Sequence, residues 1–135
     1  MPIVNAKEML LKATAEKYAV GAFNVTNFIQ MKAVVQAAIE NNSPVIIQTS
    51  VTPSKFRQPD VVAAVFKTLA AEAPVPVCLH VDHCSVVDYC KTCADAGYTN
   101  VMIDASHHEF AENIRQTRIV SDYCHTRGIS VEGEL

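Results

Sequence analysis

The chain is 135 residues long, half of them hydrophobic and 19% charged, with a formal net charge of −3; this balance suits one soluble globular domain with its own core. No basic block or arginine stripe occurs, which argues against a nucleic-acid partner. The opening stretch, MPIVNAKEMLLKATAEKYAV, carries a lysine or glutamate every few positions and reads as neither a signal peptide nor a membrane span, so no membrane partner is expected.

In chain order, residues 5–18 predict an extra N-terminal helix lying under the sheet that the later strands form. Val20–Val25 is a short strand. Asn27 opens a helical pattern with Phe28, Met31, Val34, Val35, Ala38 and Ile39 on one face, ending at Asn41-Asn42. The β-branched run Pro44–Gln48 is a second strand, Pro59–Glu72 a second helical pattern and Val75–Val81 a third strand. Asp88–Ala96 is a short helix stopped by Gly97, and Val101–Asp104 a fourth strand. Ser106-His107-His108-Glu109 has the S-x-x-E spacing of a capping box, predicting that the fourth helix starts there and runs to about Arg127 before Gly128. Ile129–Leu135 is the fifth strand.

Strand starts near residues 20, 44, 75, 100 and 129 recur at about the length of one βα unit. Nearly continuous apolar strands separated by helices imply a parallel sheet covered by helices. A dinucleotide-binding sheet would need a glycine-rich turn after the first strand. The four glycines, Gly21, Gly97, Gly128 and Gly133, form none. Polar residues instead recur at the C-terminal ends of the strands: Asn24, Ser50, Asp82 with His83, Asp104 with Ser106, and Glu132 with Glu134. Barrel enzymes build their sites at that rim. The expected fold is therefore an α/β, (β/α)8 TIM barrel, of which about four βα units and a fifth strand are present. A full barrel takes about 250 residues, so residues 1–135 read as the first half of one, interrupted in strand five. A genuine half-barrel that pairs with a second copy is the other reading.

Asp82-His83, Asp104 and Glu134 end successive strands, and the rim of a barrel brings such positions together. Imidazole and carboxylate suit zinc or a similar divalent ion. Glu132 and Glu134, two apart, are expected on the same side of their strand. Carboxylates facing a barrel interior need a cation or a proton-transfer role to offset their burial. The Cys90-Lys91-Thr92-Cys93 spacing reads as half-buried thiols on a short helix, and Cys84 as no zinc ligand. An odd total of five cysteines without a secretory signal favours a reducing, cytoplasmic setting. His107 and His108 are expected in the first turn of the fourth helix and His125 in its last.

The segments HVDHC, AGYTNVMIDASHHEFAENIRQTR and HTRGISVEGEL, together with GAFNVTN and NNSPVIIQTS, resemble the class II, zinc-dependent ketose-bisphosphate aldolases, a family that includes fructose- and tagatose-bisphosphate aldolases. The resemblance covers the whole chain as the N-terminal half of the family's barrel. It implies that Asp82 shuttles the proton of the substrate's C4 hydroxyl and that His83 binds a catalytic Zn2+. Asp104 and Glu134 would bind a second, buried metal position, and Asn24 and Ser50 would lie near the substrate. His80 would orient Asp82 or a metal ligand from behind, and Glu132 is the other residue expected to support the site. The implied reaction is reversible aldol cleavage of fructose or tagatose 1,6-bisphosphate to dihydroxyacetone phosphate and glyceraldehyde 3-phosphate. It needs no lysine Schiff base, and the full-length protein is expected to be a homo-oligomer, a dimer or tetramer.

The chain departs from the family in two places. Ala105 stands where glycine usually follows M-I-D, and SVTPSKF, from Ser50, stands where G-A-x-K-Y is common. The family's other zinc-binding histidines, its glycine-rich phosphate loop and its N-A-D-type segment lie beyond residue 135. The 135 residues alone are therefore expected to be inactive. Two other classes fit the residues: a non-catalytic barrel partner or metal-binding half-barrel module, and another metal-dependent barrel enzyme such as a hydrolase.

Overall fold

The computed structural model describes residues 2–51 and 58–135. The departure at SVTPSKF thus falls mostly outside the described residues. In chain order the elements are α1 (Ala6–Glu16), β1 (Gly21–Asn24), α2 (Phe28–Glu40), β2 (Val45–Ser50), α3 (Pro59–Ala70), β3 (Val77–Cys84), α4 (Val87–Ala96), β4 (Asn100–Ile103), α5 (Phe110–His125) and β5 (Ser130–Gly133). The five strands form one sheet in the order β1-β2-β3-β4-β5, every neighbouring pair parallel. A doubly wound sheet reverses strand order at a switch point; this one never does, which is the winding of a barrel.

Alternation along the strands sorts the core. Val77, Leu79 and Val81 of β3 join Val45 and Ile47 of β2 and the buried faces of α2–α5, including Met31, Phe66, Cys90 and Val120, in the main cluster. Cys78 and Ile46 face the other way and meet Ala6 and Met9 of α1. Helix α1 therefore lies on the inner face at the N-terminal ends of the strands, as the expected helix under the sheet. Its entry is tied down: Val77 N donates to Pro2 O, Val4 N to Val77 O, and Asn5 Nδ2 to Gly128 O. Asn5 and Asn27 cap α1 and α2, their side chains accepting from Lys7 N and Gln30 N. Gly97, at φ 111, closes α4 as expected.

The fourth helix starts later than its sequence implies. Helix α5 begins at Phe110, and its N-cap Glu109 makes no side-chain cap bond. Ser106 is drawn instead to Asp104, donating to Oδ1 from its hydroxyl at 2.7 Å and from its N–H at 3.2 Å. A carboxylate two residues away outcompetes a helix N–H for the serine. His107 and His108 consequently sit in the turn before the helix, their rings 4.1 Å apart. Strand four is shifted one residue toward the N-terminus and strand five is shorter than expected, which leaves Asp104 and Glu134 one residue past the regular pairing.

All five cysteines are free and buried. Burial pushes the Cys78 and Cys93 thiols up to about 12, so they are protonated packing groups. Cys84 points into the main core and donates to Val86 O, away from the rim. Among the described residues no helix is long and apolar enough to cross a membrane.

Candidate functional site

Asp82 and His83 are adjacent in β3, and regular pleating would send their side chains to opposite faces. Two features of the backbone prevent this. The β3–β4 register shifts between Val81 and Cys84, since Val81 pairs with Val101 but Cys84 with Ile103. His83 itself is left-handed, at φ 47. The extra residue is a bulge, which re-aims side chains at the end of a strand. His83 N donates to Met102 Sδ at 3.3 Å, and Asp104 N to Cys84 O at 2.8 Å, holding the bulge against β4.

The re-aimed His83 ring meets two carboxylates. Its Nδ1 lies 3.0 Å from Asp104 Oδ2 and 3.3 Å from Glu134 Oε2. One ligand atom from each of the three residues falls within 4.8 Å of the others. Asn113, buried on α5, donates from Nδ2 to the backbone oxygen of Glu134 at 2.7 Å and so anchors the end of β5. The hydrogen bond from His83, with those from Ser106, holds the Asp104 carboxyl down at about 2. The same contact with Asp104 raises the His83 pKa. One imidazole and two carboxylates on a half-open rim form a nitrogen-and-oxygen donor set that fits zinc, cobalt or iron. Asp104 and Glu134 were expected at a separate, buried position. They join His83 in one group, and their side chains are 21% and 41% exposed.

Asp82 belongs to a neighbouring network on the inner face. Its Oδ2 accepts from Asn24 Nδ2 at 2.7 Å, and its Oδ1 accepts from Gln48 Nε2 at 3.1 Å. Two amide donors from β1 and β2 thus orient the carboxylate while leaving it on the rim. Ser50 pairs in register with Asp82, which places the expected substrate residue beside it. His80 lies two residues below, buried, with Nε2 3.8 Å from both Asp82 Oδ1 and Glu132 Oε2. Glu132 and Glu134 share a face as expected but divide between two partners, Glu132 toward His80 and Glu134 toward His83. Burial and the Asp82 charge push the Glu132 carboxyl up.

Sequence reasoning missed Gln48, Asn100, Asn113 and Ser130. The signal for three of them was present. Gln48 and Ser130 lie two positions before the rim residues Ser50 and Glu132, and Asn100 four before Asp104, so each is a polar break in an otherwise apolar strand face; the fold then aligns them with Asn24 and His80 as register partners across the five strands. Asn113 gives no such signal, because a polar residue on a helix reads as solvent-facing.

Comparison with known proteins agrees with this geometry. The chain is 45% identical over 134 residues to a fructose-bisphosphate aldolase of Helicobacter pylori, covering 98% of this chain and 44% of that protein. It is 46% identical over 138 residues to one of Geobacillus stearothermophilus, covering 100% of this chain and 48% of the relative. Among solved structures, the YdjI aldolase from Escherichia coli K12 superimposes with a TM-score of 0.92 at 33% identity, over 98% of this chain and 50% of that one. The chain therefore spans about half the length of the curated relatives it matches. The family model for class II fructose-bisphosphate aldolase matches residues 4–135. A consecutive parallel sheet with its polar residues gathered on one rim is what that match predicts, and the chain belongs to the class II fructose-bisphosphate aldolase family.

Proposed function

We propose that this chain forms the first half of a metal-dependent aldolase barrel that reversibly cleaves a ketose 1,6-bisphosphate, fructose or tagatose, to dihydroxyacetone phosphate and glyceraldehyde 3-phosphate. The observation that carries the reading is the pairing of two devices on one rim. One is a carboxylate, Asp82, oriented by Asn24 and Gln48; the other is the His83, Asp104 and Glu134 donor group.

In cleavage, Asp82 takes the proton of the C4 hydroxyl as general base. The C4 oxygen becomes the aldehyde as the C3–C4 bond breaks, and the bonding pair stays on the C3 fragment as an enediolate. In condensation, Asp82 returns the proton. Asn24 and Gln48 hold the carboxylate in one orientation for both directions. His83, with Asp104 and Glu134, would hold a divalent cation, zinc in the first place, and that ion when bound would supply Lewis-acid stabilisation of the charge left by C–C cleavage. Ser50, beside Asp82, would contact the substrate. With only this part of the rim, the 135 residues by themselves are inactive in this reading.

The test uses the full-length protein that carries this chain. Metal-stripped enzyme is reloaded with zinc and assayed for aldol cleavage of fructose and tagatose 1,6-bisphosphates. Cleavage of at least one, lost on chelation and restored by zinc, is expected. No cleavage of either sugar by the reloaded protein would overturn the reading.

A further inference from the structure

His80 is 1% exposed, and its Nε2 is a buried polar atom without a hydrogen-bond partner among the described residues. Such atoms are uncommon in folded proteins and point to a role. The other ring nitrogen is fully engaged. Asn100 Nδ2 lies 2.7 Å from His80 Nδ1. Behind it, Ser130 Oγ donates to Asn100 Oδ1 at 2.6 Å and accepts from Ala6 N at 3.0 Å. The row thus begins at the first backbone N–H of α1, crosses β5 and β4, and ends on the imidazole in β3.

Two independent features fix where the single proton of the neutral ring sits. From behind, the N–H of Ala6 occupies a lone pair of the Ser130 hydroxyl. The hydroxyl proton has acceptors at 2.6 Å in Asn100 Oδ1 and 3.4 Å in Thr99 O, and the shorter bond takes it. This turns the Asn100 carbonyl toward Ser130 and its amide NH2 toward His80, so Nδ1 must accept. From in front, Nε2 faces carboxylate oxygens of Asp82 and Glu132, each 3.8 Å away. A lone pair there would face two anions, whereas an N–H is attracted to both. Burial, the largest influence, holds the His80 pKa down to about 4, so the ring carries one proton near neutral pH.

We propose that Asn100 and Ser130 are positioning residues that lock His80 in its Nε2–H tautomer and so present one shared N–H donor to the gap between Asp82 and Glu132. The consequence for the reaction rests on the aldolase reading above. As Asp82 gains and loses a proton, the fixed N–H keeps an attractive partner on its Oδ1 side. The donor acts through Asp82 and touches no substrate, so its loss lowers turnover rather than substrate affinity.

The test uses full-length protein labelled with 15N histidine, in which two-bond proton–nitrogen couplings report which His80 nitrogen carries the proton. Wild type is expected to show the proton on Nε2. Asn100→Asp puts an acceptor opposite Nδ1 and is expected to move a proton onto that nitrogen. Its kcat should fall about ten- to a hundredfold, the usual cost of losing such a supporting partner, with KM and bound metal unchanged. Ser130→Ala frees the Asn100 amide and should give mixed tautomers with a smaller loss, whereas Ser130→Thr, which keeps the hydroxyl, should restore both. A proton on Nδ1 in wild type overturns the proposal. So does N100D that folds with its tautomer and kcat unchanged. If N100D does not fold, S130A decides: an unaltered tautomer and turnover overturn the lock. The tautomer is read without catalysis, so a wild-type protein with the Nε2 proton but no aldol cleavage refutes the aldolase reading and leaves the lock standing.

Discussion

Asp82 and His83 are consecutive residues of β3, and both serve the same rim because His83 takes a left-handed backbone at φ 47 in a bulge opposite β4. A histidine there carries a steric cost that glycine avoids. In metal-free protein, His83→Gly is expected to be more stable than His83→Ala by about 1 kcal/mol, read from chemical denaturation. Both variants should lose the metal, read by calorimetric titration with zinc. Equal stability of the two would argue against the strained bulge.

The contact of His83 Nδ1 with Asp104 Oδ2 at 3.0 Å sets a pH window. His83 has its pKa raised above the ordinary 6.5. The stability it contributes is therefore complete below 6.5 and is lost as pH climbs through the raised value. Asp104 is lowered from 3.8 to about 2, so its contribution is present above 3.8 and disappears as pH falls toward 2. Metal-free protein should therefore hold the ion pair between these limits. Asp104→Asn should bring the His83 titration back toward the ordinary value, followed by proton NMR. Zinc needs the unprotonated ring, so its affinity should rise as pH passes upward through the His83 pKa.

Asn24 and Gln48 donate to different oxygens of Asp82, at 2.7 and 3.1 Å. Asp82→Asn removes the proposed base and should lower kcat of the full-length enzyme by about 10²–10⁴-fold. Gln48→Met keeps the bulk but removes the donor, and its loss should be smaller, about tenfold or more. Zinc content should stay unchanged in both variants. A Gln48→Met enzyme with wild-type kcat would mean that Asn24 alone suffices to orient the carboxylate.

Phe66 on α3 is fully buried in the cluster that seats the helices on β2 and β3. Phe66→Ala leaves a cavity as well as losing apolar burial, and should destabilise the protein by about 3–5 kcal/mol. The melting temperature and denaturant midpoint measure it. Because Phe66 lies on the helix side of the sheet, any protein that still folds should bind zinc as before.

The regular elements were legible from residue pattern alone. Apolar strands at βα intervals, the absence of a glycine-rich turn and polar strand ends together specified a parallel barrel wall, and its order appears in the sheet. The S-x-x-E pattern places the start of α5 too early because its serine has two acceptable partners. Local pattern cannot show that the Asp104 carboxylate wins it.

What the sequence determined by itself was the fold class, the family and the rim residues, since strand periodicity and motif order are properties of neighbours along the chain. The tertiary structure decided how those residues are shared out. Only the bulge lets Asp82 and His83 project together. Only strand register lines up Gln48, His80, Asn100 and Ser130, residues from four strands, into one row. Register is set by packing between distant segments, so the partners that fix a proton or a carboxylate become visible only when the strands lie side by side.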